Sequence, residues 1–469
     1  MAYATCHEVR SRLIMHAIKT YQGIIVIIGI SILVSIAGAY WNDLLSRTSF
    51  ADWSDDSQYY NARALSLIHT GSLGEEQALF RRPPGYPWFL AFVYAFHESI
   101  FAAWAAQMLL FCGVLFLLWH ISKRFLEGSH ALLPPLFLAL YWGFHVHVFS
   151  IGSEMLSVFL LLHVVLLLFW YGDALRVRYL IYAGFAAGLL ALTKPVFLYA
   201  TPFLLGWILY RNMSVKTFMH AGVCFGIVCA MVGGWALRTY ILFGEAQTER
   251  IGHVVYTRAL YGTLSWKEIG LHLAASVTGN YTVDQFSPGY GAVSVPRRLG
   301  VKRIATYAEL RNQGLTPALA EQQMLREGIS LIKKHPLKFM AGTTPLLIDL
   351  NTLENFSGFP ITPMFAGTRE YIPAWQKVAV LLLLHAGWFF LLGICAAGCL
   401  KLMRDVSRRS LFMPLLFLIL FFNGLHAFII IPAEPRFLVP VLPFYFLCFT
   451  VGIKGFLTCV KKIYSVEVS

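Results

Sequence analysis

Apolar segments nearly as long as a lipid bilayer is thick recur along the chain, and they constrain its fold more than any other feature. Hydrophobic residues make up 58% of the 469 residues and charged residues only 13%, whereas roughly a quarter of an average soluble domain is charged. Because a helix needs about 20 apolar residues to cross a membrane, the sequence predicts an all-α, polytopic integral membrane protein. About ten transmembrane helices are expected, at residues 23–40, 101–121, 131–151, 155–171, 179–193, 196–210, 217–237, 374–400, 411–431 and 437–457.

The distribution of Lys and Arg between these segments predicts their orientation. Cytoplasmic loops carry most of the basic residues near the spans of a membrane protein. Here basic residues cluster before the first span, within residues 401–409 and after the last span. The first span is therefore interpreted as a retained signal anchor, with both termini in the cytoplasm. The net charge of +13 follows from the same asymmetry, so membrane lipids are expected around the protein and no nucleic acid is expected as a partner.

Two long polar segments, both expected outside the cytoplasm, divide the chain into three regions. Residues 1–237 form an N-terminal transmembrane region whose first outer loop is 41–100. Residues 238–373 form an outer loop with a small helical cap, and residues 374–469 form a C-terminal transmembrane region. The elements expected within the outer loop are helices over 303–313 and 316–334 and an apolar half-span or re-entrant segment over 337–350.

The first outer loop opens with two adjacent carboxylates. Asp55 and Asp56 start an amphipathic segment that Ser54 can cap and Gly71 can end, and the helix dipole favours acidic residues in a first turn. Residues 88–97 are apolar but too short to cross a bilayer, so we expect a juxtamembrane helix there. By itself a capped helix of this kind is an ordinary surface element. Whether its carboxylates have a functional role has to be judged from the rest of the chain.

The eight cysteines do not indicate a disulfide framework, because none of them lies in either long polar segment. Cys395 and Cys399 lie one helical turn apart, on the same face of an apolar span. We interpret this pair as packing residues rather than as metal ligands.

Ionisable residues recur in the first outer loop and at the predicted outer ends of the spans. Charges at membrane depth cost free energy and are usually paired or functional. Each has a simpler explanation by itself: Lys194 can extend its ammonium group to the interface, and Arg436 can anchor a helix there. A site that needs both acidic and basic groups explains them together. The residues are Asp55, Asp56, Arg81, Arg82, Glu154, Lys194, Arg238, Glu434 and Arg436.

The sequence around these charges contains recognisable motifs. The first outer loop reads Asp56-Ser57-x-x-Tyr60-x-x-x-Ala64-x-x-Leu67 and then Arg82-Pro83-Pro84-Gly85-Tyr86-Pro87. Weaker motifs follow in order along most of the chain: Ser153-Glu154, Leu192-Thr193-Lys194-Pro195, Trp235-x-x-Arg238-x-Tyr240 and Glu434-Pro435-Arg436-Phe437. The set resembles the GT-C glycosyltransferases, integral membrane enzymes that use polyprenyl-phosphate sugars. Within them, the bacterial aminoarabinose and protein-mannosyl transferases are the most similar group.

Two departures from the family's pattern matter for function. The first motif of the family commonly begins with Asp-Glu, where this chain has Asp55-Asp56-Ser57. The spacing to Tyr60 favours Asp56 as the equivalent residue, and Asp55 is kept as the alternative. Arg82 stands where the aminoarabinose transferases often have Lys, so the donor sugar is left open.

The resemblance implies a role for each group of residues. Asp56, or Asp55, would accept a proton from the acceptor nucleophile, and Glu154 would orient the acceptor or a neighbouring cation. A divalent metal beside Asp56 is compatible with this chemistry but not required by the resemblance, and no other cofactor is implied. The expected ligands of the donor phosphate are Arg82, Arg436, Lys194 and Arg238. The expected substrate-positioning residues are Tyr59, Tyr60, Arg81, Tyr86 and Glu434.

The resemblance therefore implies transfer of a sugar from a polyprenyl-phosphate donor to a lipid, glycan or protein acceptor. The expected location is the outer face of a bacterial inner (plasma) membrane. Two other functions stay open at this point. A transporter or flippase of a lipid-linked substrate explains the charged spans but not the Asp56 motif, and the sequence shows no repeated halves. A polysaccharide polymerase or ligase normally has its key residues in a late outer loop.

We predict that cysteines introduced at Ser72 and Ser287, one in each long polar segment, react with a membrane-impermeant thiol reagent in intact spheroplasts. The reason is that the distribution of Lys and Arg puts both segments outside the cytoplasm. A cysteine at Ser407, in a basic segment expected inside, should react only after lysis. If Ser72→Cys and Ser287→Cys were also labelled only after lysis, the orientation would be wrong.

Overall fold

The computed structural model describes residues 2–41, 55–74, 83–243, 251–288, 295–351, 373–429 and 435–467. All regular secondary structure within these ranges is helical, as the sequence predicts. Ser54, Arg81, Arg82 and Glu434 lie outside the described residues.

Nineteen helices follow one another in this part of the chain, joined by 3-10 turns and short connections. They are α1 (Ala2–Trp41), α2 (Asp55–Thr70), α3 (Gly85–Tyr94), α4 (Ile100–Ser122), α5 (Leu133–Leu140), α6 (Trp142–Phe149), α7 (Glu154–Ala174), α8 (Val177–Thr193), α9 (Val196–Arg211), α10 (Val215–Phe243), α11 (Gly252–Leu260), α12 (Trp266–Thr278), α13 (Asn280–Phe286), α14 (Val295–Asn312), α15 (Pro317–Lys334), α16 (Pro336–Leu350), α17 (Ala374–Arg404), α18 (Val406–Phe428) and α19 (Leu442–Glu467). The 3-10 turns are Gly128–Leu132, Tyr261–Thr263, Pro435–Phe437 and Val439–Val441.

Seven of the described helices are long and apolar enough to cross a membrane, and there are eight spans if one bent helix pair is counted. The seven are α1 (over Tyr21–Tyr40), α4, α7, α10, α17, α18 and α19. The shorter apolar helices α8 and α9 occupy the two shortest segments predicted as spans. The most buried of the long helices is α7, which places it at the centre of the bundle. The prediction of an all-α, polytopic membrane protein is thus confirmed.

The bent pair, Gly128–Leu140 and Trp142–Phe149, lies where the sequence predicts one continuous span over residues 131–151. The chain breaks at Tyr141, whose backbone is extended, and α5 and α6 meet at 60°. His145 bridges this break, with Nε2 2.8 Å from the Ala139 carbonyl oxygen and Nδ1 2.6 Å from the Ser35 hydroxyl. A carbonyl near the break therefore keeps a hydrogen-bond partner, as backbone groups at membrane depth require.

The cap between α10 and α17 is larger than the sequence predicts, because it contains the six helices α11–α16. Thr316 caps α15 as expected: its side chain accepts a hydrogen bond from the Leu319 backbone amide at 3.3 Å. The apolar segment predicted as a half-span forms α16, which has 15 residues and packs against α18 and the Tyr261–Thr263 turn. A helix of this length is shorter than the roughly 20 residues that a full span needs.

The first outer loop returns to the bundle through a close contact at Gly85. A Cβ atom at this position would lie 2.5 Å from Thr193 Oγ1 and 2.8 Å from the Leu192 carbonyl oxygen. Because glycine has no side chain, α3 can begin directly against the end of α8, with Tyr86 and Leu90 fully buried. This contact brings the Pro-Pro-Gly motif next to the end of α8, the helix that precedes Lys194.

We predict that Gly85→Ala lowers the thermal unfolding temperature of the purified protein, because the added methyl group must displace backbone atoms at a cost of about 1–3 kcal/mol. Gly206→Ala is the matched control, since Gly206 lies in α9 with open space around it. The control should unfold at the wild-type temperature or slightly above it. Equal unfolding temperatures for Gly85→Ala and Gly206→Ala would refute the proposed tight contact.

Candidate active site

An ion pair joins two residues that are 380 positions apart in the sequence. Arg436 Nη1 lies 3.0 Å from Asp56 Oδ2, and the side chains are 37% and 23% exposed. Asp56 is the second residue of α2, and Arg436 lies in the Pro435–Phe437 turn shortly before α19. Two residues that the sequence analysis selected from opposite ends of the chain are therefore in direct contact, at a position that solvent or substrate can reach. Asp55 is the first residue of the same helix.

The start of α2 is fixed by contacts to the centre of the bundle. The Ser57 hydroxyl donates a hydrogen bond to the Ile151 carbonyl oxygen at 2.8 Å. The Tyr60 ring packs edge-on against the Tyr86 ring, with 4.9 Å between centroids. Tyr86 in turn donates a hydrogen bond to Gln107 Oε1 at 3.0 Å. These contacts hold the first turn of α2 beside the segment that leads into α7.

The three tyrosines selected from the sequence thus have different surroundings. Tyr86 is fully buried, and this burial raises its pKa well above the usual value, so its hydroxyl stays protonated and can keep donating to Gln107. Tyr60 is also buried. Tyr59 is half-buried and lies 5.1 Å, ring centroid to guanidinium carbon, from Arg63. Tyr60 and Tyr86 therefore contribute to the site by holding Asp56 in place.

A second ion pair lies deeper in the bundle. Lys194 Nζ is 3.1 Å from Glu154 Oε1, and the two side chains are only 13% and 12% exposed. Glu154 is the first residue of α7, where the helix dipole favours a carboxylate, and Lys194 directly follows α8. The Phe437 ring lies between the two pairs, 5.7 Å from Lys194 Nζ and 5.2 Å from the Arg436 guanidinium carbon. Glu154 also interacts electrostatically with Arg436, so the two pairs form one charged site.

Arg238 does not join this cluster through any described contact. Its guanidinium carbon lies 4.9 Å from the Trp235 ring, and Trp235 packs edge-on against Trp88 of α3. Its Nη1 atom is buried without a hydrogen-bond partner among the described residues. The structure therefore places Arg238 on the side of α3, with donor capacity available for another group.

Sequence analysis missed two residues that adjoin the paired charges and a third that contacts one of these two. His147, at the end of α6, interacts electrostatically with Glu154, Lys194 and Arg436. The ring of His426, near the end of α18, stacks on Phe437 with 4.6 Å between centroids. The third residue is Arg258 of the cap. A histidine within an apolar segment is a weak signal, but His147 is close in sequence to Glu154, and that proximity could have selected it.

Arg258 connects the cap to the charged site. It is only 2% exposed, and its Nη2 donates a hydrogen bond to the backbone carbonyl oxygen of His426 at 2.6 Å. Burial lowers the pKa of Arg258 to about 10, although nearby Tyr261 and Asp349 oppose this shift, so it remains a cation at neutral pH. Nothing in the sequence indicates its burial, because Arg258 occurs in a polar segment where basic residues are normally exposed.

The arrangement has the chemical capacity for two tasks. A carboxylate at Asp56 can accept a proton, and the guanidinium group of Arg436 can bind an anion through two parallel hydrogen bonds. Lys194 adds a nearby positive charge that Glu154 balances, and Arg258 adds another at the His426 carbonyl oxygen. Such a site suits a reaction in which a proton is removed from one group while negative charge develops on another.

Comparison with known proteins supports a common fold. Residues 81–252 match the dolichyl-phosphate-mannose-protein mannosyltransferase family. The apo crystal structure of the Archaeoglobus fulgidus oligosaccharyltransferase is similar over 95% of this chain and 51% of that one, with a TM-score of 0.51 and 11% sequence identity. The chain thus spans about half the length of that protein. ArnT from Cupriavidus metallidurans, in a structure bound to undecaprenyl phosphate, aligns over 92% of this chain and 77% of its own, with a TM-score of 0.38 and 12% identity. No curated protein matches the chain.

The resemblance to GT-C glycosyltransferases identified from the sequence is therefore confirmed for the fold. The family match covers residues 81–252, and the structural similarity extends over nearly the whole chain and concerns its fold. The roles of individual residues are separate predictions.

We predict that Glu154→Gln and Lys194→Met each destabilise the protein by about 3–5 kcal/mol, because each leaves an uncompensated charge in a poorly solvated position. The double variant removes both charges and should recover much of the lost stability. Thermal unfolding of the four proteins, in the same detergent, measures this coupling. Additive losses in the double variant would contradict the ion pair.

Proposed function

We propose that this GT-C-type chain is a glycosyltransferase that moves a sugar from a polyprenyl-phosphate donor to a lipid, glycan or protein acceptor. The observation that carries the proposal is the contact between Asp56 and Arg436. It puts a proton acceptor and an anion-binding group side by side, in a protein whose fold and family match indicate membrane glycosyl transfer.

Arg436 is proposed to bind the donor phosphate. Its side chain is more exposed than that of either residue in the Glu154–Lys194 pair, so it can reach a ligand without unfolding the site. A guanidinium group matches two phosphate oxygens at once, whereas an ammonium group acts as a point charge. Lys194 then contributes charge at longer range, and Arg82 and Arg238 are proposed as further donors on the side of the first outer loop.

Asp56 is proposed to act as the base. Before substrate arrives, the Asp56 carboxylate is paired with the Arg436 guanidinium group, so it is positioned but not free to meet the acceptor. A donor phosphate that binds Arg436 competes with Asp56 for the guanidinium group and frees the carboxylate. Binding of the donor would then activate the base only when there is a sugar to transfer.

The transfer itself requires one bond to form and one to break. The nucleophilic atom of the acceptor bonds to the anomeric carbon of the sugar while the bond from that carbon to the phosphate oxygen breaks. The acceptor proton passes to Asp56, and the leaving polyprenyl phosphate takes the bonding electrons. Arg436 stabilises the charge that develops on the leaving oxygen, and Glu154 keeps Lys194 in place behind it.

The proposed location is the outer face of a bacterial inner membrane, with both termini in the cytoplasm. The charged site lies where α7 begins, where α8 and α18 end and just ahead of α19, which is the end of the bundle that the distribution of Lys and Arg assigns to the outside. A lipid, a glycan or a protein could reach this end as the acceptor. A divalent metal beside Asp56 stays a prediction.

We predict that the purified protein releases polyprenyl phosphate from a polyprenyl-phosphate sugar when an acceptor is supplied, and that Arg436→Ala slows this release about 100-fold, a loss of roughly 3 kcal/mol. Arg436→Lys should also be impaired, because lysine cannot make the planar two-point contact. Arg326→Ala is the control, since Arg326 is exposed on α15.

Three results would contradict the proposal, either for the two arginines or for glycosyl transfer as a whole. Near-normal turnover in both Arg436→Ala and Arg82→Ala would remove these residues from the phosphate site. Movement of the intact lipid-linked sugar across a vesicle membrane without release of polyprenyl phosphate would indicate a flippase instead. Growth of a glycan by repeated units would indicate a polymerase.

A further inference from the structure

Three cysteine side chains meet between the first and last helices of the C-terminal transmembrane region. The Sγ atoms of Cys395, Cys399 and Cys448 all lie within 4.8 Å of one another. Cys395 and Cys399 belong to α17, and Cys448 belongs to α19. Cys395 and Cys448 are buried and Cys399 is partly buried. The structure thus adds a third thiol to the pair that the sequence shows on one helix face.

The two helices approach each other closely at this point. A Cβ atom on Gly398 would collide with the Cys448 carbonyl oxygen, and one on Gly452 would collide with the Ile394 carbonyl oxygen. Gly398 and Gly452 therefore permit the close approach by themselves, as small residues do in membrane helix pairs. The packing of α17 on α19 therefore does not require a cysteine at each of positions 395, 399 and 448.

The distribution of cysteines also argues against packing alone. The chain contains eight cysteines, and three of them converge on one point. Among the described residues, these three cysteines are also the only group of at least three His, Cys, Asp or Glu side chains whose ligand atoms could all reach one metal ion. None of the three adjoins the paired charges of the candidate active site.

We propose that Cys395, Cys399 and Cys448 form a binding site for a soft metal ion, and specifically for Cu(I). Thiolate ligands select soft ions such as Cu(I) and Zn(II). Structural Zn(II) sites are almost always four-coordinate, and this site offers three sulfur atoms and no fourth Cys, His, Asp or Glu ligand among the described residues. Cu(I) is satisfied by two or three sulfurs, so the number of ligands favours it.

Binding requires no change of oxidation state. Each thiol that becomes a ligand loses its proton as its metal–sulfur bond forms, and copper remains Cu(I) throughout. The bound ion would link α17 to α19, and α19 begins shortly after Arg436. Cu(I) would therefore stabilise the end of the chain that carries one half of the Asp56–Arg436 pair. This inference does not depend on the proposed glycosyl transfer.

The test is transfer of Cu(I) from its coloured bicinchoninate complex to the purified full-length protein under anaerobic, reducing conditions. Wild type should remove about one equivalent of Cu(I) from the complex, and X-ray absorption should show a sulfur-only shell at about 2.3 Å, near the usual metal–thiolate distance. Saturating Cu(I) should also raise the unfolding temperature, because an ion that binds only the folded state stabilises it.

Cys448→Ser and Cys399→Ser should each abolish this stoichiometric transfer, and Cys399 is the less buried of the two positions. Cys112→Ser and Cys224→Ser are matched controls, since both remove a free thiol elsewhere in the bundle, and both should bind Cu(I) like wild type. Helix content measured by circular dichroism identifies any variant that fails to fold. The proposal is overturned if wild type removes no Cu(I), if folded Cys399→Ser removes as much as wild type, or if anaerobically purified protein contains a disulfide between Cys448 and either partner.

Discussion

The ion pair between Asp56 and Arg436 joins α2, the first described helix after the N-terminal span, to the turn that leads into α19. Bringing such distant parts of a chain together costs loop-closure entropy, which the packing of the intervening helices must offset. Its geometry therefore depends on the whole bundle, including the buried Tyr60–Tyr86 contact on one side and the turn around Phe437 on the other. The pair also holds the start of α2 against the Pro435–Phe437 turn.

Desolvation explains how the other charges are arranged around this pair. Glu154 and Lys194 are almost completely withdrawn from solvent, and a charge in that position is tolerated only when its partner is in contact. Arg258 is still more deeply buried and donates to the backbone at the end of α18. Their partners hold these groups in place before any substrate binds, so little reorganisation is needed when negative charge develops. Through Arg258, the cap places a cation at the backbone of His426, whose ring stacks on Phe437.

Much of this architecture could be predicted from the sequence because hydrophobic length and charge are local properties. Residues 101–121 and 411–431, for example, were predicted within a few residues of α4 and α18. The break at Tyr141 is missed because the apolar run continues through it; Gly143 lies nearby, but a single glycine in an apolar segment is a weak signal, and the hydrogen bond from His145 to Ser35 that accompanies the break is tertiary. Motif spacing selected Asp56 and Arg436, and the structure places these two residues in contact. It could not select Arg258 or Cys448, because their importance arises only from the helices that fold against them.

The most direct test of the account compares Asp56→Asn with Asp55→Asn in the polyprenyl phosphate release assay. Asparagine preserves the size of the side chain and much of its hydrogen bonding but removes the basic carboxylate. Asp56→Asn should insert and fold normally and lose about 100-fold or more in turnover, the range expected for a positioned base, while Asp55→Asn should be much less affected. If Asp55→Asn were inactive and Asp56→Asn active, Asp55 would be the base instead. Full activity in both variants would contradict the proposed mechanism.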